Sequence, residues 1–339
     1  PMARPNAKAW RRAGAIVAVA LARPGRLLAL LASLLLACGV LASGHLAASP
    51  QLGIVVDAPH RGGGRTVIVG DVHGCSVELR ALLAKAKFDH ARDRLVFVGD
   101  LIGKGPHPQA VVQIARGLGA LAVRGNHEDN LLRWRARGAP MPDPLGAIPE
   151  DYATTVAELN PRDWQWLAAL PYYVHLHGIA APVGGHKGAD RIVPEDNSAD
   201  RVVPEDLDEV LVVHAGLVPG VPLSQQRPED MVEMRTLEEE TGRPSRRAGG
   251  GGKPWAGVWR GPNFIVFGHD ARRGLQQESA ALGLDTGAVY GGELTALVLP
   301  AGVLVSVPAR EQYTMKRGDA LTTLGDEVSS DGNRRGSEP

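Results

Sequence analysis

Short apolar runs, each ended by a glycine-containing polar motif and followed by helical periodicity, recur through the first half of the chain. Thr66–Val69 leads into Gly70-Asp71-Val72-His73-Gly74, and Ser76 then stands where it can cap a helix with Leu79, Leu82, Leu83 and Ala86 on one face. Leu95–Val98 leads into Gly99-Asp100, with a helix expected from Pro108 to Gly117. Leu121–Val123 leads into Arg124-Gly125-Asn126-His127-Glu128 and a helix ending near Gly138. Further strands are expected at 172–177, 209–213, 263–267, 294–299 and 303–307. Alternating strands and helices predict an α/β fold whose polar motifs sit on loops past the strand ends, where such folds place ligand sites.

Departures from this rhythm divide the chain. Residues 1–26 form a basic tail, 27–48 an apolar segment, 49–64 a linker ending in glycines, 65–310 the globular region and 311–339 a polar tail expected to be disordered. Within the globular region, 180–207 contains a near-duplication, DRIVPED at 190–196 and DRVVPED at 200–206. Two units are too few for a solenoid, so an expanded surface loop is expected. Residues 241–254, TGRPSRRAGGGGKP, read as a flexible loop or lid.

Charge adds an asymmetry. The formal net charge is zero, yet residues 1–56 hold six basic residues and no acid, leaving 31 Lys and Arg against 37 Asp and Glu in the remainder. A mildly acidic globular region argues against sequence-independent nucleic-acid binding, which needs a basic face. Two cysteines, Cys38 and Cys75, cannot build a disulfide framework. Leu27–Ala48 is Leu- and Ala-rich, lacks Asp, Glu, Lys and Arg, and follows Arg23 and Arg26. It is long enough to span a bilayer and also suits a signal peptide, so a membrane-anchored or secretory and lumenal location is expected, with organelle import less favoured. If retained, the segment would leave the N-terminus cytosolic and tether the protein to the membrane.

Phosphoester hydrolysis at neutral pH needs an activated water, neutralised phosphoryl charge and a protonated leaving group. Two divalent metals about 3.5–4 Å apart supply the first two. Mixed carboxylate and imidazole donors on separate strand-end loops could hold such a pair. Asp71, His73, Asp100, Asn126, His127, His214 and His269 all follow apolar, strand-like runs. Any one of these motifs alone reads as ordinary turn chemistry; five in one chain do not.

Gly70-Asp71-Val72-His73-Gly74-Cys75, Gly99-Asp100-Leu101-Ile102-Gly103-Lys104-Gly105-Pro106, Arg124-Gly125-Asn126-His127-Glu128, Leu211-Val212-Val213-His214-Ala215-Gly216 and Phe267-Gly268-His269 resemble, in order, the motifs of calcineurin-like metallophosphoesterases. Pro254-Trp255-Ala256, Trp259-Arg260-Gly261-Pro262, the segment Gly268–Gln276 and Leu284-Asp285-Thr286-Gly287 resemble the ApaH-like phosphatases, relatives of symmetrical diadenosine tetraphosphatases and of the PPP protein phosphatases. The resemblance implies a four-layer α/β/β/α sandwich and two divalent metal ions drawn from Mn, Fe, Zn or Co. It implies Asp71 and His73 on one metal, Asn126, His214 and His269 on the other, Asp100 bridging, and His127 as the acid that protonates the leaving oxygen. Lys104, Arg124 and Arg272 are candidate substrate contacts, with Arg235 and Arg273 behind them. Trp255, His175, His177 and His186 read as structural, and His45, His60, His90 and His107 stand outside any constellation.

Two departures bear on the activity. PPP phosphatases carry Asp-Arg where this chain has Gly103-Lys104, so the Asp that would orient His127 is missing, and the C-terminal loop of those enzymes is replaced by the LDTG segment. Ala288 stands where the subgroup often has Cys. The expected function is hydrolysis of polyphosphate-type or dinucleoside polyphosphate anhydrides. A serine/threonine protein phosphatase acting on phosphoproteins is the alternative. An inactive domain used as a binding module is the alternative of another class.

Overall fold

The computed structural model describes residues 52–57, 64–137, 152–179, 201–204, 206–248 and 252–315. Six strands form one sheet, in the order β1 (Gly53–Asp57), β5 (Tyr173–His177), β6 (Val210–Val213), β10 (Phe264–Phe267), β12 (Ala281–Gly283) and β11 (Gln276–Glu278). Five form a second sheet, in the order β14 (Val303–Pro308), β13 (Glu293–Leu299), β2 (Thr66–Val69), β3 (Arg94–Phe97) and β4 (Leu121–Ala122). The central runs β2, β6 and β10 are continuous apolar strands because both of their faces are covered. One face of each sheet packs on the other: Ile68, Val96, Val98 and Leu297 meet Val174, Leu176, Val212, Val266 and Leu282 in a single buried cluster.

Helices close the outer faces. Against the five-stranded sheet lie α1 (Ser76–Lys85), α2 (Pro108–Gly117), α3 (Asn126–Ala136), α4 (Ala153–Glu158) and α5 (Pro161–Ala168), with Leu79, Val111, Leu131 and Leu167 packed on the strands. The six-stranded sheet is covered by α6 (Pro228–Glu233) and α7 (Trp255–Val258), where Met231 and Trp255 pack on Leu211, Val213 and Phe267. The layers therefore run α/β/β/α, as expected. Parallel pairing of β2, β3 and β4, and of β6, β10 and β12, points the C-terminal ends of each set the same way. The motifs that carry Asp71 and His73, Asp100, Asn126 and His127, His214, and His269 each leave one of those ends.

Three expectations change. Residues 53–57 lie within the stretch read as a linker, yet they form an edge strand paired in parallel with β5 from Gly53↔Tyr173 to Asp57↔His177. The stretch 241–254 supplies β8 (Pro244–Ser245) and β9 (Gly252–Pro254), which flank β7 (Thr236–Glu238) in a third, small sheet. The membrane-anchored or lumenal location is also corrected: among the described residues no helix is long and apolar enough to cross a membrane. The longest, α3, has 11 residues, about 16 Å of helix against a hydrocarbon layer about 30 Å thick. Leu27–Ala48, the DRIVPED unit and the tail beyond 315 lie outside the described residues.

Candidate metal centre

Asp71 and His73 follow β2, Asp100 follows β3, and Asn126 opens α3 just after β4. From the other sheet His214 follows β6 and His269 follows β10. The two sheets thus contribute to one centre at their facing C-terminal edges. His73, Asp100 and His127 bring donor atoms within 4.8 Å of one another, and so do Asp100, His214 and His269. Asp100 belongs to both groups. Its Oδ2 lies 3.4 Å from His73 Nε2 and 4.0 Å from His127 Nε2, while Oδ1 lies 3.4 Å from His214 Nε2.

The backbone fixes which imidazole nitrogen faces inward. His73 Nδ1 lies 3.1 Å from the carbonyl of Ile102, His214 Nδ1 2.9 Å from that of Val98, and His269 Nε2 3.1 Å from that of Glu233. A carbonyl only accepts, so each of these nitrogens carries the proton, and the opposite nitrogen of the neutral ring presents a lone pair to the centre. His214 Nε2 and His269 Nδ1 then sit 3.1 and 2.9 Å from Asn126 Oδ1. Lone pairs so convergent repel unless a cation lies among them. The donor set fits divalent ions on that ground.

Electrostatics point the same way. Burial, then Asp285 and Asp100, push the Asp71 carboxyl well above its usual range, and burial raises Asp100 to about 6. Burial holds His214 down at about 4; burial and Lys104 lower His73, and burial and His214 lower His269. Carboxylates pushed up and imidazoles pushed down are groups that positive charge at the centre would relieve.

Several residues gain a place that sequence alone did not assign. Glu128 is fully buried and accepts from four backbone amides: Gly125 at 2.9 Å, Asp100 at 2.9 Å, Leu101 at 2.9 Å and Ile102 at 3.1 Å. It pins the β3 loop to the start of α3. Asp285, also buried, adds a third carboxylate beside Asp71 and Asp100. Tyr152 Oη lies 2.6 Å from His127 Nδ1. Glu128 was legible as a residue three positions after Gly125; Tyr152, 25 positions from His127, had no local signal.

The expected substrate contacts divide. Lys104 Nζ is 2.9 Å from His73 Nε2 and 5.2 Å from the Tyr290 ring centre, inside the centre. The Arg124 guanidinium is buried, donates to Ala168 O at 2.7 Å, pairs with Asp129 at 3.5 Å and lies over Tyr172. Those partners hold it against α3 and the end of α5. Arg272 is exposed on the turn after His269, whereas Arg273 is bound to Asp270 and Ala248 O. Arg235 donates to His269 O at 3.1 Å and so braces that loop. Trp255 is buried against Phe267, with ring centres 4.8 Å apart. His175 and His177 share Glu209 at the opposite end of β6 from His214, a polar clamp that Asn263 completes.

The family model described as calcineurin-like phosphoesterase matches residues 64–273. A bis(5'-nucleosyl)-tetraphosphatase PrpE, asymmetrical, from Halalkalibacterium halodurans is 30% identical over 74% of this chain and 96% of its own length. A symmetrical bis(5'-nucleosyl)-tetraphosphatase from Methylococcus capsulatus is 33% identical over 68% of this chain and 90% of its own. A crystal structure described as that of a candidate diadenosine tetraphosphatase superposes with a TM-score of 0.58 at 36% identity, covering 75% of this chain and 97% of that one.

Proposed function

The chain belongs to the calcineurin-like phosphoesterase family and is a metal-dependent hydrolase of phosphoester or phosphoanhydride bonds, and on that premise we propose that it cleaves dinucleoside polyphosphates or related polyphosphate anhydrides at a two-cation centre. The observation that carries the two-cation reading is Asp100, a single carboxylate shared by two donor clusters. In this reading His73 and Asp71 serve one cation, Asn126, His214 and His269 the other, and Asp100 both. The nitrogen and oxygen donors suit manganese, iron, zinc or cobalt better than calcium. When bound, the pair supplies an activated water and neutralises charge on the phosphoryl oxygens.

The chain's own residues do the rest. His127 carries a proton on Nε2 and gives it to the oxygen that leaves phosphorus, the N–H pair of electrons staying on nitrogen. Lys104 places its ammonium where a phosphoryl oxygen would approach, and Arg272 stands nearer the exposed rim, where the distal part of a polyanion would lie. Relatives of this chain carry names that specify dinucleoside tetraphosphates, which is why anhydrides are preferred over phosphoproteins.

The test is the full chain, supplied with Mn2+ or Zn2+, acting on diadenosine tetraphosphate, inorganic polyphosphate and a phosphopeptide in parallel. Anhydride turnover is expected to exceed phosphopeptide turnover, and the products report the cut: two ADP from a symmetrical one, ATP and AMP from an asymmetrical one. Turnover of the phosphopeptide alone would transfer the assignment to a protein phosphatase. Chelation or Asp100→Asn is expected to abolish hydrolysis; activity that survives both would remove the two-cation reading.

A further inference from the structure

His127 is held on one side only by backbone: its amide donates to Asp100 Oδ1 at 3.0 Å. The ring itself needs a partner at Nδ1 if Nε2 is to face the reacting bond. Position 103, where related phosphatases carry an Asp, offers none, because Gly103 has no side chain. A Cβ built on Gly103 would lie 2.6 Å from His127 Nδ1 and 3.3 Å from Tyr152 Cε1, and Gly103 has φ +80°. The space that a longer residue at 103 would claim is thus filled from elsewhere.

Tyr152 fills it. Its ring is 4% exposed and belongs to the core between the helices and the five-stranded sheet. Its hydroxyl oxygen is 2.6 Å from His127 Nδ1, with ring centres 5.3 Å apart. On the other side the His73 ring stands edge-on at 4.6 Å, and Nε2 points toward Asp100 Oδ2 at 4.0 Å. A phenol anchored through its apolar body has little freedom to lose when its hydroxyl engages a neighbour.

We infer that Tyr152 is the positioning residue for His127, holding Nδ1 so that Nε2 is the nitrogen presented to the leaving oxygen. The inference rests on the reading of His127 as the acid. In the imidazolium, Nδ1–H donates to the phenolic oxygen while Nε2–H is transferred; afterwards the neutral ring keeps its proton on Nδ1 and the same hydrogen bond. Tyr152 gives up no proton of its own. An α4 segment reached only after a long connection from α3 therefore supplies an element of the proton-transfer apparatus.

Tyr152→Phe removes one oxygen and leaves the packing. In the full chain loaded with Mn2+, kcat for phenyl phosphate, a poor leaving group, is expected to fall about tenfold, the scale of one well-placed hydrogen bond. The loss with 4-nitrophenyl phosphate, which leaves without protonation, should be about twofold or less, with KM and bound Mn2+ unchanged in both cases. The double variant with His127→Ala should be no slower than His127→Ala alone. In protein labelled with 15N-histidine, the His127 Nδ1 resonance, identified by its disappearance in His127→Ala, should move in Tyr152→Phe. An unmoved resonance, equal losses on both substrates, or additive losses in the double variant would overturn the assignment of Tyr152 alone. If His127→Ala itself lost both substrates equally, the acid role would fall and the positioning role with it. Persistence of wild-type activity under chelation would count against the cation centre, a separate failure.

Discussion

Four of the five non-glycine residues with positive φ among those described are His73 (47°), Asp100 (49°), Lys104 (58°) and His269 (70°). Left-handed backbone at residues with a Cβ costs about 1–3 kcal/mol each and persists only where surroundings fix it. Here the fixing groups are identifiable: His73 N donates to Asp100 O at 2.8 Å, His269 N to Asp71 Oδ2 at 3.0 Å, and Asp100 N to Glu128. Glu128→Gln should expose this dependence, since one carboxylate oxygen becomes an amide donor facing two N–H groups. A loss of about 2–4 kcal/mol in stability is expected, with kcat for 4-nitrophenyl phosphate falling about a hundredfold as Asp100 shifts. Thermal melting and steady-state kinetics check both; a variant with wild-type melting would show that the four amides do not need the carboxylate. At this scale the sequence carried the donors, because each follows an apolar run and has a glycine within two residues. The motif position of Arg124 says nothing of the Ala168 carbonyl that its guanidinium reaches.

At the scale of elements, β2 and β3 are joined before they begin. Arg65 donates to Ala86 O at 3.0 Å and Lys87 O at 2.7 Å beyond α1, and its amide donates to Asp93 Oδ1 at 3.0 Å beside an ion pair with the same carboxylate. Burial alone would raise the Asp93 carboxyl, but the Arg65 guanidinium and the amides of Asp89 and Arg65 outweigh it and hold the group below its usual value. A carboxyl lowered in the folded state stabilises above its unfolded value, near 3.9, and the benefit drains away as pH falls through the folded value. Asp93→Asn should therefore melt earlier than the wild type at pH 7, by the equivalent of about 2 kcal/mol. The gap should close below about pH 4, and a gap constant from pH 7 to pH 3 would contradict the ion-pair account. Strands such as β6 and β10 were readable as continuous apolar runs. By contrast β1 was not, since GIVVD beside prolines and glycines resembles a linker until β5 offers it an edge. Nor were β8 and β9, whose glycine-rich sequence conceals pairing that only β7 makes visible.

Across the whole molecule, the centre draws its donors from both sheets, so occupancy and sheet packing are linked. Cations that bind only the folded arrangement add RT ln(1 + [L]/Kd), about 2.7 kcal/mol at a hundredfold excess over Kd. Mn2+ is expected to raise the melting temperature of the wild type and to leave that of Asp100→Asn nearly unchanged. Ile68→Ala, a cavity in the core between the sheets, should cost about 2–5 kcal/mol yet retain the rise on Mn2+ addition, which scanning calorimetry would read. Absence of that rise in the wild type would uncouple the centre from the fold. The strand pattern pointed to an α/β fold and the four-layer packing came from the resemblance; neither indicated the contribution of distant segments such as the one bearing Tyr152. The opening of α3 carries one more implication. Asn126, His127 and Glu128 are consecutive, and each is turned about 100° from the last, toward His214 and His269, toward Tyr152 and toward the β3 loop respectively. Inserting or deleting a single residue there would rotate all three duties at once, so natural variation cannot retune one of them by slippage.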